Sequence, residues 1–263
     1  NREKDHGKTG SYSMKRNFFL FLILIVFCFV TFKTSSAFFT SSATSQNNTF
    51  TTAEEFPTAT PSATPTPTGE VTPTPIEGLA NHIVISEVQI AGAAAGEDFI
   101  ELYNPTDSAV DISGWKLRVK DSSGTSSSIR VFGASKTILA HGFFLWASTV
   151  NSFNTTLSAD ESSTVTITSG DRSVAFLNSL DVEIDRLAWG VGTNQYVEGT
   201  AFPTTPASNQ SMERKAYLSS DATTMTGADA TKGNGHDTDN NSLNFVLRTV
   251  SQPQNSSSST EIP

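Results

Sequence analysis

Beyond residue 80 the apolar residues come in short runs, and each run ends at Gly, Pro, Asn, Asp or Ser. This pattern restricts the fold more than any other feature, because runs this short suit strands and fall below the length of a stable helix. WKLRVK (115–120) alternates: Trp115, Leu117 and Val119 share one face, and Lys116, Arg118 and Lys120 the other. That is the signature of a half-solvated strand. Further strands are predicted at HIVISEVQI (82–90), DFIELYN (98–104), SSIRVF (127–132), TILA (137–140), FFLWAS (143–148), TVTITS (164–169), SVAFLN (173–178), VEIDRLAW (182–189) and MERKAYL (212–218). GAAAG (92–96) reads as a loop, Asn104-Pro105-Thr106-Asp107 as a turn and Ser169-Gly170-Asp171 as a tight hairpin. Strands at this spacing give a sandwich or barrel, and the missing βαβ rhythm argues against a parallel sheet. Only 16% of the chain is charged, and the residues that build long helices are scarce. An all-β domain is expected over residues 80–252. Two polar connections, 151–163 and 192–210, exceed what a minimal sandwich needs.

The N-terminal third has a different character. Met14-Lys15-Arg16-Asn17 precedes an uncharged run from Phe18 to Phe32, and small residues follow at Ser35 and Ala37. A helix of that run spans about 22 Å, short of a ~30 Å hydrocarbon core. The segment reads as a secretory signal cleaved after Ala37, with Met14 as the start and residues 1–13 as an upstream extension. An uncleaved anchor, basic side in, fits the same residues. Both readings place the rest of the chain outside the cytoplasm, and the membrane is met only through residues 1–37. Cys28, the single cysteine, excludes an internal disulfide, and Phe27 before it is too large for a lipoprotein acylation site. Residues 38–79, rich in Ser, Thr and Pro, have too few large apolar side chains to offset ordering entropy and read as a disordered linker. Residues 253–263 read as a disordered tail for the same reason.

The net charge is −9, and residues 80–263 carry all of it, with eleven basic and twenty acidic residues. An acidic domain repels phosphate backbones, so no nucleic-acid partner is expected. G-x-S-x-G, H-E-x-x-H, P-loop and G-x-G-x-x-G patterns are all missing. His6, His82, His141 and His236 are too scattered for a His-rich metal centre. Asp237, Asp239 and Asn241 place three oxygens at alternate positions, as the start of a Ca²⁺ loop does, but Ser242 stands where that loop needs Gly and Arg248 where it needs Glu. Asx-turns account for the same residues without a metal. No cofactor is expected, with Ca²⁺ at Asp237, Asp239 and Asn241 as the alternative. Phe99, Ile100, Leu102, Trp115, Trp146, Trp189 and Phe245 are expected in the core, and Gly114 at a backbone shape or close approach that excludes a side chain. Glu101 sits within an apolar strand, and if it faces inward it needs a partner such as Arg118, Arg214 or Lys215.

ISEVQI (85–90) and DFIELYNPTDSAVDISGWKL (98–117), with F-I-E-L-x-N-P followed by a Gly-Trp, resemble the start of a lamin tail domain of the bacterial kind. SMERK (211–215) and HDTDNNSLNFVLR (236–248) resemble that family's later segments, departing at Leu243-Asn244 where an acidic residue is more usual. The resemblance implies an immunoglobulin-like β-sandwich. It also implies a secreted or surface-tethered, non-catalytic binding and structural module whose partner is a protein or cell-envelope component. The alternative is an accessory role in an extracytoplasmic nuclease or phosphoesterase system, or a hydrolase whose site is assembled from distant residues.

Overall fold

A computed structural model describes residues 77–168 and 172–263. The signal segment with its cleavage at Ala37, the linker up to residue 76 and the Ser169-Gly170-Asp171 turn lie outside the described residues. Among the described residues no helix is long and apolar enough to cross a membrane.

The strands run β1 (Val84–Ala91), β2 (Ala95–Tyr103), β3 (Val110–Asp111), β4 (Lys116–Lys120), β5 (Ser126–Val131), β6 (Thr137–Ile138), β7 (Phe143–Ser148), β8 (Glu161–Ser163), β9 (Ser173–Leu177), β10 (Glu183–Ala188), β11 (Ser211–Arg214) and β12 (Phe245–Arg248). Two four-residue helices, α1 (Phe153–Thr156) and α2 (Asn241–Asn244), complete the elements used below. One sheet has six strands in the order β12-β11-β1-β2-β7-β8, and the other has four in the order β10-β9-β4-β5. β3 and β6 form a two-stranded ribbon. The pairings between named strands are antiparallel except β7 with β8. The architecture is an all-β, immunoglobulin-like sandwich.

Alternation explains which side chains meet between the sheets. Ile100 and Leu102 of β2, Phe144 and Trp146 of β7, and Met212 of β11 point inward from the larger sheet. Leu117 and Val119 of β4 and Val174 and Phe176 of β9 meet them from the smaller one. In β1 both Ile85 and Val88 are core residues, because a bulge between Ile85 and Glu87 resets the alternation. Glu87 and Gln89 are thereby turned outward. Trp115 is half-buried, packed on Phe176 with ring centroids 5.1 Å apart, so it seals the rim while Trp146 and Trp189 fill the centre. Gly114 has φ +75°, and a Cβ there would meet only Ser179 Cβ at 3.5 Å. Its role is therefore conformational and not a matter of space.

The outer face of the larger sheet is covered as well. Phe99, Leu145 and Ala147 pack under Phe153, Leu157 and Ala159 of the 151–163 connection, and Val84, Tyr103 and Phe143 form a second outer cluster. The 192–210 connection is likewise docked: Tyr196, Glu198 and Phe202 are buried, and Phe202 bridges Trp189.

Several sequence expectations need correction. Residues 164–168 of TVTITS are not a strand paired with SVAFLN, since β9 has β4 on one edge and β10 on the other. The second half of GAAAG already belongs to β2. MERKAYL ends as a strand at Arg214, and NFVLR contributes β12, which periodicity did not single out. Residues 253–263 are not a free tail. Gln254 N–H donates to the Glu101 carboxylate, Ser256 N–H to Asp160 Oδ2 at 2.9 Å, and Glu261 N–H to the His141 carbonyl at 2.9 Å. The segment lies as a strap over the outer face of the larger sheet.

Candidate functional site

The densest group of ionisable residues is built around Arg214. Met212 and Arg214 of β11 alternate inward, so a guanidinium enters the sandwich where an apolar residue would be expected. Arg214 is 0% exposed and lies over the Phe245 ring, 4.7 Å from its centroid. Its Nη2 donates to both oxygens of Asp185, at 2.9 and 2.7 Å. Nε donates to the Ile85 carbonyl at 2.9 Å and Nη1 to the His236 carbonyl at 3.1 Å, with Asp237 Oδ1 3.2 Å away. Because Asp185 sits on β10 and Arg214 on β11, this fork joins the two sheets through the core. Burial pushes the Asp185 carboxyl up, and Arg214 only partly offsets it. Burial works to lower the Arg214 pKa, but Asp185, Asp237 and Glu198 together hold it above its ordinary value.

Two of the three candidate metal ligands, Asp237 and Asn241, are engaged by the fold, and Asp239 lies exposed. Asn241 Oδ1 accepts two N–H groups, from Ala188 at 3.0 Å and Glu198 at 3.2 Å, so both lone pairs face donors. Its Nδ2 donates to the Arg186 carbonyl at 2.9 Å. Asn241 thus closes the outer edge of β10, standing where another strand would. Asp237 Oδ1 accepts from Asp239 N–H at 3.1 Å and Asn244 Nδ2 at 2.8 Å, besides facing Arg214. Asp239 is exposed with φ +53°, the apex of that Asx-turn. Asn240 caps α2 through Ser242 N–H. A different trio, His82, Asp185 and Asp237, has ligand atoms within 4.8 Å of one another. Both of its carboxylates already face the Arg214 guanidinium, so the positive charge there belongs to the protein. These donors do not fit a cation.

Beside this knot a cavity of about 170 Å³ is lined by Glu183, Asp185, Arg186, Glu198 and Asp239. Glu198 is pushed up to about 9, by burial first and then by the nearby charges of Asp185 and Asp237. His236 is buried and its pKa is lowered, by burial first and then by Lys215 and Arg214. A second cavity, about 210 Å³, lies at the strap and is lined by Glu213, Asp229, Lys232, Gln252, Gln254 and Glu261, among others.

Glu101 is buried, as its apolar strand implied, but none of Arg118, Arg214 or Lys215 is its partner. It faces the outer side of the sheet and accepts from Ser86 Oγ and from Gln254 N–H of the strap. Sequence reasoning did not single out Glu87, Asp98 or Asp185. All three are acidic residues inside apolar strands, the same signal that drew attention to Glu101. Asp98 accepts from Ile167 N–H and is pushed up to about 7 by burial. His141 sits in a turn with Nε2 2.9 Å from Asp107, a surface contact.

Residues 79–191 match the family model of the Lamin Tail Domain. The match ends before β11, so SMERK and the D-T-D-N-N segment lie beyond it, although β11 pairs with β1 and completes the same sheet. No curated protein matches the chain. Residues 79–191 are thus similar to the Lamin Tail Domain, a non-enzymatic family of immunoglobulin-like fold, and the sandwich described above agrees with that likeness.

Proposed function

We propose that the chain is a non-catalytic binding and structural module held outside the cytoplasm. Residues 80–263 form the working domain, residues 38–79 a spacer, and residues 1–37 a cleaved signal or retained anchor. A protein or cell-envelope component is its partner. One observation carries the non-catalytic reading: the charged groups gathered around Arg214 are engaged by the fold itself. Arg214 holds Asp185, Asp237 and two carbonyls, and Asn241 holds an edge strand. The cavity beside these groups, about 170 Å³, and the one at the strap, about 210 Å³, are smaller than the ~300–1,000 Å³ typical of ligand pockets. The extracytoplasmic reading rests on the basic-apolar-small order of residues 14–37.

Two measurements test the proposal. Protease added to intact cells is expected to remove the domain while a cytoplasmic marker survives; a domain digested only after lysis would overturn the location. Purified full chain is expected to leave a nitrophenyl phosphodiester and a nitrophenyl acetate unhydrolysed. Turnover above the blank, lost in Asp185→Asn or Glu198→Gln, would favour the hydrolase alternative.

A further inference from the structure

Glu87 of β1 and Glu101 of β2 stand directly opposite each other on the outer face of the larger sheet. Each is 2% exposed. Like charges in this position repel, and a buried carboxylate without a cation costs far more than an exposed one. The strap covers both. Gln252 N–H donates to the two Glu87 oxygens at 3.2 and 3.3 Å, Gln254 N–H donates to Glu101, and Ser256 N–H donates to Asp160. Gln252, Gln254 and Ser256 thus each direct a backbone N–H to a carboxyl group.

The charges around the pair do not neutralise it. From β11, Glu213 lies opposite Glu87. From β12, Arg248 pairs with Glu213, donates to Gln252 Oε1 at 2.7 Å and brings a positive charge near Glu87. From β7, Leu145 lies opposite Glu101 and brings no charge. The strap adds the acidic Glu261, whose carbonyl accepts from the Tyr103 hydroxyl. Asp229 and Lys232 line the adjoining cavity.

We propose that residues 251–263 are a proton-dependent latch, closed over the Glu87–Glu101 pair while the pair holds a proton and opened when both carboxyls ionise. Opening returns both groups to water and relieves the repulsion. Burial is the main cause that pushes Glu87 up, to about 7, against the bonds from Ser211 and Gln252 and the charge of Arg248. Burial, then the Glu87 charge, raises Glu101 well above the usual carboxylate range. A raised carboxyl favours the closed form fully below its ordinary value of 4.5 and loses that preference as pH rises through about 7. Glu87 therefore loosens the latch between about pH 4.5 and 7, and Glu101, raised well above its ordinary value, carries the loosening further. The hinge falls at Thr249 and Val250, both exposed. The device holds whatever partner the domain takes.

Hydrogen exchange read by mass spectrometry on the full chain tests it, with rates divided by the intrinsic base-catalysed rate. Protection of the 251–260 peptide is expected to fall by up to about tenfold per pH unit from about pH 5 upward, while β4 and β9 peptides keep theirs. Glu101→Gln and Glu87→Gln, each of which removes one ionisation and the repulsion between the pair, are each expected to lessen the slope. Strap protection independent of pH between 5 and 9 would overturn the latch, as would both variants following the wild-type slope. Should either variant not fold, the wild-type slope against the β4 and β9 controls decides.

Discussion

Replacing Arg214 by Met is expected to destabilise the domain by about 3–5 kcal/mol, the usual cost of breaking a buried ion pair from one side. The substitution removes both bonds to Asp185 and the donors to the Ile85 and His236 carbonyls. Asp185, 1% exposed, keeps only the N–H groups of Ile85 and Arg186. The Met side chain retains part of the packing on Phe245, so the lost charge contacts dominate. For a domain of this size, the loss corresponds to a melting shift on the order of 6–20 °C. The assay is urea unfolding of the full chain at two pH values. Asp185 is already raised in the native protein, chiefly by burial, and loses its counter-charge in the variant. Its folded pKa rises further, so protonation stabilises the variant at low pH and that stabilisation is lost as pH rises. The gap between wild type and Arg214→Met is therefore larger at pH 8 than at pH 5. Adding Asp185→Asn, which keeps an acceptor for Ile85 N–H and removes the unpaired charge, is expected to recover about 1 kcal/mol or more. A loss under about 1 kcal/mol, or a gap that ignores pH, would refute the claim that this fork ties the sheets together.

Trp146→Ala, at the centre of the core, is expected to cost about 3–5 kcal/mol, and Trp115→Ala, at the rim, about half of that; denaturation midpoints in the reverse order would contradict the packing. Melting curves in calcium and in chelator are expected to coincide, because Oδ1 of Asp237 and Oδ1 of Asn241 already face donors; a calcium-dependent rise abolished by Asp239→Ala would restore the metal reading. Duplex DNA is expected not to bind at physiological salt, given the −9 carried by residues 80–263; micromolar affinity with a steep salt slope would refute this.

The strands were legible because their signal is local. WKLRVK alternates within six residues, and the structure places β4 at Lys116–Lys120 with Leu117 and Val119 inward. FFLWAS coincides with β7. The departures lie where a distant segment decides. Ile85 and Val88 share the core only because a bulge in β1 shifts the register against β2. β12 is four residues long and gains its identity from pairing with β11. Glu101 was recognised as anomalous, but its partners could not be named, because Gln254 is 153 residues further along the chain. Asp185 meets Ile85 N–H across 100 residues in the same way.

The strap shows why composition alone misread the C-terminus. QPQNSSSSTEIP has almost nothing apolar to bury, and side-chain content is what a compositional test of disorder weighs. This segment is held largely through its backbone and small polar side chains. Gln252, Gln254 and Ser256 offer N–H groups to carboxyl oxygens that the sheet has already fixed in place. Ser251 donates to Gln89, and Asn255 reaches the Leu157 and Ser158 carbonyls. A Cβ on Gly233 would overlap the Tyr103 hydroxyl and the Glu261 carbonyl oxygen, so even the loop beneath the strap is shaped to admit it. Ordering a polar segment in this way needs acceptors held in a poorly solvated place, which is why the sheet keeps Glu87 and Glu101 buried. The same burial makes the two carboxyls compete for one proton, so the feature that orders the tail also makes its order depend on pH.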